Sequence, residues 1–148
     1  MGGCLCGAVR YSVRGEPLNV GRCHCADCRK ESGSTYTVYG QWPPEAFSYE
    51  GEIATWDGRS FCPRCGSRLF CIFDEGVEVR LGSLDDAPFE LRPEAEIWIK
   101  RREPWLHRSR ARHSTTRTAS SRSRAARRGR GRATRPRSGA ARARRRSG

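Results

Sequence analysis

Residues 62–66 read Cys-Pro-Arg-Cys-Gly, and residues 4–7 read Cys-Leu-Cys-Gly. A Cys-x-x-Cys closed by glycine is the form of a metal knuckle. Both thiolates turn inward, N–H groups of the turn donate to the sulfurs, and Gly66 tolerates the positive φ such a turn needs. The competing reading is a redox pair, which belongs at the start of a helix in a strand–helix–strand unit. Here the following residues, SRLFCIF (67–73), read as a strand. One knuckle supplies two ligands, and a closed tetrahedral zinc site needs four. On an extended chain Cys4 and Cys6 fall on one face. They therefore read as the second half-site rather than as two ordinary core cysteines. A Cys4–Cys6–Cys62–Cys65 zinc site would close a loop of roughly sixty residues and so staple the fold.

Residues 22–30, RCHCADCRK, hold the other cluster. Cys23, Cys25 and Cys28 place three thiolates close together and leave one tetrahedral position open, the pattern of a catalytic zinc whose fourth ligand is water or substrate. His24 is the rival fourth ligand. In an extended Cys-His-Cys, however, the middle side chain points away from its neighbours, so His24 reads as a supporting or substrate-facing group. Arg22, Arg29 and Lys30 flank the cluster; they offset thiolate charge, attract an anionic substrate, or do both. His24 and Asp27 are the only nearby candidates for a general base, and Asp27, between two cysteines, also reads as simply solvated. Cys71, between Phe70 and Ile72, has no spacing partner and reads as a buried strand residue. Trp42, Trp56, Trp98 and Trp105 read as core or pocket wall.

Around these clusters the chain alternates with the period of strands. In GAVRYSVRGE, Val9, Tyr11 and Val13 share one face, Ala8, Arg10 and Ser12 the other, before a Gly-Glu-Pro turn. The cysteine stretch is expected to be a compact loop ending in one helical turn. STYTVYGQW reads as a strand broken by Trp42-Pro43-Pro44, FSYEGEIATW as a strand bent at Gly51, VEVRLGSL as alternating, and AEIWIKRREPWL as a last strand. No long helical period is present. The expected fold class is all-β, or β-dominated, with short strands and frequent turns.

The net charge of +13 over 148 residues hides two segments. Residues 1–106 carry 13 Lys and Arg against 16 Asp and Glu, a net of −3; residues 107–148 carry 16 Arg and no other charged residue, a net of +16, which together give +13. All 8 cysteines, 4 tryptophans and 5 phenylalanines precede residue 107. A zinc-binding domain over 1–106 and an Arg-rich tail over 107–148 follow, the tail lacking anything that could build a core and being expected to be disordered. No run approaches the roughly 18–20 apolar residues of a membrane helix. The N-terminus lacks the basic and apolar regions of a signal peptide, and MGGCLC departs from the myristoylation pattern at Cys6. A reducing, cytoplasmic setting is expected, where cysteine clusters mean metal or catalysis more often than disulfides.

The order GGCLCGAVRY, CHCADCRKESG, FCPRCGSRLF, LGSLDD, IWIKRREPWL resembles the glutathione-dependent formaldehyde-activating enzyme (Gfa) family, which also includes centromere protein V. The resemblance covers residues 2–106. It implies an Mss4-like fold of short antiparallel sheets stapled by zinc, with two zinc ions per chain. Cys4, Cys6, Cys62 and Cys65 match the structural site, and Cys23, Cys25 and Cys28 the catalytic one. It also implies carbon–sulfur lyase chemistry, the reversible joining of a thiol (glutathione) to an aldehyde (formaldehyde). Two features depart from the family pattern. Glu96 stands where members often carry His, and an arginine tail replaces the usual short ending. A binding module whose tail holds nucleic acid phosphates without sequence preference is the alternative function. A third reading makes the tail a frameshift-like extension with no role.

Overall fold

The computed structural model describes residues 1–107 and the backbone of residues 113–115. In chain order its elements are β1 (Gly2–Gly3), β2 (Arg10–Val13), β3 (Asn19–Cys23), the helix α1 (Ala26–Ser32), β4 (Thr37–Trp42), β5 (Phe47–Glu50), β6 (Ala54–Trp56), β7 (Arg59–Phe61), β8 (Arg68–Phe73), β9 (Gly76–Arg80), β10 (Ala95–Ile97) and β11 (His113–Thr115). Among the described residues they form a three-stranded sheet, β1-β2-β5, and an eight-stranded sheet, β11-β10-β3-β4-β9-β8-β7-β6. The β-dominated class stands. The pairing is not uniformly antiparallel: β10 lies parallel to both β3 and β11. No helix of the described residues is long and apolar enough to cross a membrane.

Alternation builds the core as the sequence pattern predicts. Val9 and Tyr11 are buried, while Arg10 and Ser12 are partly exposed. The Tyr11, Phe47 and Phe70 rings pack together, Phe47 on Phe70 with centroids 4.8 Å apart and Tyr11 edge-on to Phe70 at 5.9 Å. This joins the small sheet to the large one. Leu69, Val77, Val79, Leu81 and Trp42 complete the cluster, and the Trp42 indole N–H donates to the Gly15 carbonyl at 3.0 Å.

Several expectations are corrected. Strand β3 carries too little β-propensity to be recognised, because Gly21 and Arg22 sit in it for tertiary reasons. A Cβ on Gly21 would lie 2.5 Å from the Tyr39 ring. FSYEGEIATW is two strands in different sheets. Gly51, at φ 95°, passes so close to Ala8 that a Cβ would meet its carbonyl at 2.1 Å. AEIWIKRREPWL is a strand only as far as Ile97. Trp98 then adopts a left-handed conformation (φ 59°, ψ 37°) and Ile99–Arg101 form a 3₁₀ turn. The single helical turn expected after the cysteines is a seven-residue helix closed by Gly33 at φ 65°. Trp56 and Trp105 are 69% and 67% exposed, so neither is core. The expectation of a disordered 107–148 tail lies outside the described residues, apart from His107 and the three residues that form β11.

Burial pushes the Tyr11 hydroxyl up to about 12, against the pull of the Ser83 hydroxyl. A phenol raised in the folded state contributes stability that is complete below about pH 10 and is lost as pH rises through 12. In urea titrations, unfolding free energy should fall as pH rises above 10, the buried Cys71 thiol adding a fall that begins nearer 9. Tyr11→Phe, which loses the 2.7 Å bond to Ser83, should start about 1 kcal/mol lower and show a shallower alkaline fall.

Candidate metal centres

Each half of the first cluster is a turn closed in the same way. Cys4 N–H donates to Val9 O (3.0 Å) and Gly7 N–H to Cys4 O (3.1 Å). Cys62 N–H donates to Ser67 O (3.0 Å) and Gly66 N–H to Cys62 O (2.8 Å). Gly7 and Gly66 take φ of 75° and 74°, as the knuckle reading requires. The Cys4–Cys6 half is therefore a turn and not the extended segment expected; Leu5, at its tip, is 91% exposed. The sulfurs still converge: Cys4 to Cys6 is 3.5 Å and Cys6 to Cys62 is 3.7 Å. Arms of about 2.3 Å in a tetrahedron give sulfur–sulfur edges near 3.8 Å, so the four thiols fit a zinc ion. All four ligand atoms lie within 4.8 Å of one another. Ser67 ties the halves together, its hydroxyl taking the Leu5 N–H at 3.0 Å and lying 3.2 Å from the Cys65 sulfur. The Ser67 hydroxyl and N–H, then the Cys6 N–H, lower the Cys65 thiol to about 5.

The second cluster joins the end of β3 to the start of α1. Cys23 is the last residue of β3. Cys25 is the helix N-cap, its sulfur accepting the Cys28 N–H at 3.3 Å, and Cys28 sits in the first turn. The Cys28 carbonyl takes the Ser32 hydroxyl (2.7 Å) and the Thr37 hydroxyl (3.1 Å). Cys23 and Cys28 are buried, Cys25 is half-buried, and Ile97 and Trp98 pack against them. The three sulfurs group within 4.8 Å with no fourth donor among the described residues. Bonds from the Cys23 and Cys28 thiols, and from the Cys28 and Asp27 N–H groups, hold the Cys25 thiol well below its usual value. Cys23 and Cys28 are pushed up in return. Three thiols this close ionise together only around a cation.

His24 stands outside the group of three sulfurs. Its ring is fully buried and turned to Glu96, Nε2 lying 2.9 Å from Oε1, and its N–H donates to Ile97 O at 3.1 Å. Glu96, also fully buried, lies 3.8 Å from Arg22 and 3.5 Å from Arg102. Arg22 in turn stacks on Tyr36, 4.7 Å from its centroid. Arg29 binds Glu103 at 2.5 Å and the Arg101 carbonyl at 2.8 Å. Of the three flanking cations only Lys30 has no carboxylate partner among the described residues. Asp27 is 70% exposed, 3.5 Å from Arg59. Cys71 is a buried strand residue as expected, and its thiol, pushed up to about 11 by burial, accepts from Arg80 at 3.3 Å.

The sequence reading missed Glu31. It follows Cys28 by three residues, so it leaves the same face of α1. Its buried carboxylate meets Arg80 at 2.5 Å, Arg59 at 2.6 Å and Arg68 at 3.2 Å. Arg59 also takes Asp57 at 2.7 Å, and Arg80 pairs with Glu78. The available signal was three arginines placed in the strands β7, β8 and β9, the second of them otherwise apolar.

The model of the glutathione-dependent formaldehyde-activating enzyme family matches residues 1–101. Among solved structures, a crystal structure of a Rhodobacter sphaeroides protein is 22% identical, covering 58% of this chain and 88% of that one, with a TM-score of 0.46. No curated protein matches the chain.

Removing one partner from a buried ion cluster leaves the others uncompensated. Glu31→Gln should cost about 3–5 kcal/mol in urea unfolding. Glu50→Gln, on an exposed edge, should stay within about 0.5 kcal/mol. Equally small losses would mean that the arginines are neutralised without Glu31.

Proposed function

Because the chain belongs to the glutathione-dependent formaldehyde-activating enzyme family, we propose that it is a zinc-dependent carbon–sulfur lyase of the cytoplasm. It acts on the adduct of glutathione, or a related thiol, with formaldehyde or a related aldehyde. Cys4, Cys6, Cys62 and Cys65 hold a structural zinc; Cys23, Cys25 and Cys28 hold a catalytic one. The observation that carries this reading is the unequal donor count of the two clusters. The first gathers four thiols and the second three, with His24 turned away to Glu96.

A zinc ion with an open position lowers the pKa of a thiol or polarises a carbonyl. In the forward reaction the substrate sulfur forms a bond to the aldehyde carbon, and the thiol's proton ends on the former carbonyl oxygen. The reverse breaks that C–S bond and returns the proton. The protein's residues act by positioning. The His24 N–H bond to Ile97 and the ring bond to Glu96 fix the peptide between Cys23 and Cys25. Ile97 and Trp98 keep water from one side of the sulfurs. Asp27 is solvated, and His24 is sealed in the interior, so the proton crosses through solvent rather than through a dedicated base.

The alternative, a non-catalytic module with the 107–148 tail on nucleic acid, is favoured by the tail's net charge of +16. It predicts that truncation to residues 1–106 abolishes DNA binding, and that binding by the full chain falls steeply with salt.

Thiols add to formaldehyde unaided, so the decisive experiment is rate above background. Purified full-length protein should contain two zinc ions per chain and equilibrate glutathione with formaldehyde faster than buffer alone. Cys28→Ser should retain one zinc and lose the added rate. Cys62→Ser should lose cooperative folding, since structural zinc contributes directly to folding. Two zinc ions with no rate above background would sink the enzymatic reading.

A further inference from the structure

On the side of the second cluster the eight-stranded sheet ends in two three-residue strands, β10 and then β11. The family match stops at residue 101, so β11 is built from residues beyond it. The registers place His113, Ser114 and Thr115 beside Ala95, Glu96 and Ile97, and these in turn beside Gly21, Arg22 and Cys23. The sequence gives a reason for a strand at this point. Residues 113–116 carry no arginine, and three of the 4 threonines of residues 107–148, its sole β-branched residues, are Thr115, Thr116 and Thr118.

β10 is the support on which the second cluster leans. Ile97 packs against it, the Ile97 carbonyl takes the His24 N–H at 3.1 Å, and the Glu96 carboxylate holds the His24 ring at 2.9 Å. That carbonyl faces β3. Backbone groups alternate sides along a strand, so the N–H and C=O of Glu96 face the other way, toward β11. Parallel pairing of Glu96 with Ser114 sets them against the His113 carbonyl and the Thr115 N–H. Glu96 is therefore held twice, by its side chain on His24 and by its backbone on β11. With that edge empty, β10 would be a three-residue edge strand paired on one side alone.

We propose that the outer edge of β10 is a strand-acceptor site whose occupant is this chain's own segment 113–115, and that its occupancy sets how firmly the Cys23–Cys25–Cys28 cluster holds a metal ion. The folded unit then runs to residue 115 rather than ending at 106. The effect on the metal rests on the reading of that cluster as a zinc site; the strand site itself is tested by hydrogen exchange alone.

The test compares full-length proteins that keep all 16 arginines of residues 107–148. Thr115→Pro removes the N–H set against the Glu96 carbonyl. Thr115→Val keeps both the N–H and the β-branching, and Thr134→Pro places the same proline outside the strand. Exchange of the Glu96 amide should be at least about tenfold faster in Thr115→Pro than in the wild type, and unchanged in the other two. In a chelator challenge, the zinc that Cys28→Ser lacks should leave Thr115→Pro at least about tenfold faster. The other zinc should leave at the wild-type rate, and Thr115→Val should match the wild type throughout. Equal Glu96 exchange in wild type and Thr115→Pro would overturn the strand site. Faster exchange with unchanged zinc release, or equal acceleration by Thr134→Pro, would overturn the coupling to the metal. A wild type that holds a single zinc would overturn the two-zinc reading and the coupling with it, while the exchange result still decides the strand site.

Discussion

The structure depends on bringing four thiols from two segments nearly sixty residues apart within 4.8 Å. Cys4 and Cys6 lie between two strands of the small sheet; Cys62 and Cys65 lie between β7 and β8 of the large one. Four ionised sulfurs at this spacing repel, and four protonated ones make only weak hydrogen bonds, so the geometry suits a cation. The backbone prepares for one. Two turns of matched hydrogen bonding, each ending in a left-handed glycine, bring the sulfurs together. The Ser67 hydroxyl bridges them and lowers Cys65 toward the ionised form.

From that staple a continuous set of contacts runs to the second cluster. Ser67 touches both halves of the first cluster, and the next residue, Arg68, reaches Glu31 on α1. Glu31 draws in Arg59 and Arg80 from β7 and β9, and three residues before it stands Cys28. A buried ion cluster of this kind is weak evidence for stability, because desolvation offsets most of the attraction. Its effect is directional: only one placement of α1 satisfies three arginines from three strands. The helix that carries Cys25 and Cys28 is thereby oriented by the sheet and not by the cysteines alone.

Much of the first cluster was legible because local chemistry dictates it. Glycine after Cys-x-x-Cys and after Cys-x-Cys has a meaning that survives any tertiary context. The alternation around Val9 and Tyr11 was legible for the same reason, since one face of that strand is buried. What could not be read depends on partners distant in sequence. β3 looks unlike a strand because Gly21 is there to admit the Tyr39 ring. The end of β10 is hidden because Trp98 takes a backbone conformation its side chain disfavours. Glu31 carries no local signal, and Glu96 stands out only as a departure at a family His position, until the arginines that bury them, 28 to 49 residues from the one and flanking the other in space, are known. Trp56 and Trp105 show the opposite error, apolar residues assigned inward that stand in solvent.

The charges around the second cluster have one further consequence. Three thiolates on a divalent ion would leave a net charge of −1, and Glu96, on the strand paired with that of Cys23, would add a buried carboxylate. Arg22 and Arg102 face Glu96, and Arg29 faces Glu103, so these cations answer the protein's own acids. A centre so charged would repel an anionic substrate at its ligands. For such a substrate to approach, positive charge must lie beside the thiolates and be left unpaired by the protein. Lys30 and Arg101 are left without a carboxylate partner among the described residues. The pairing pattern therefore separates cations that hold the site together from cations left free to meet something arriving from outside.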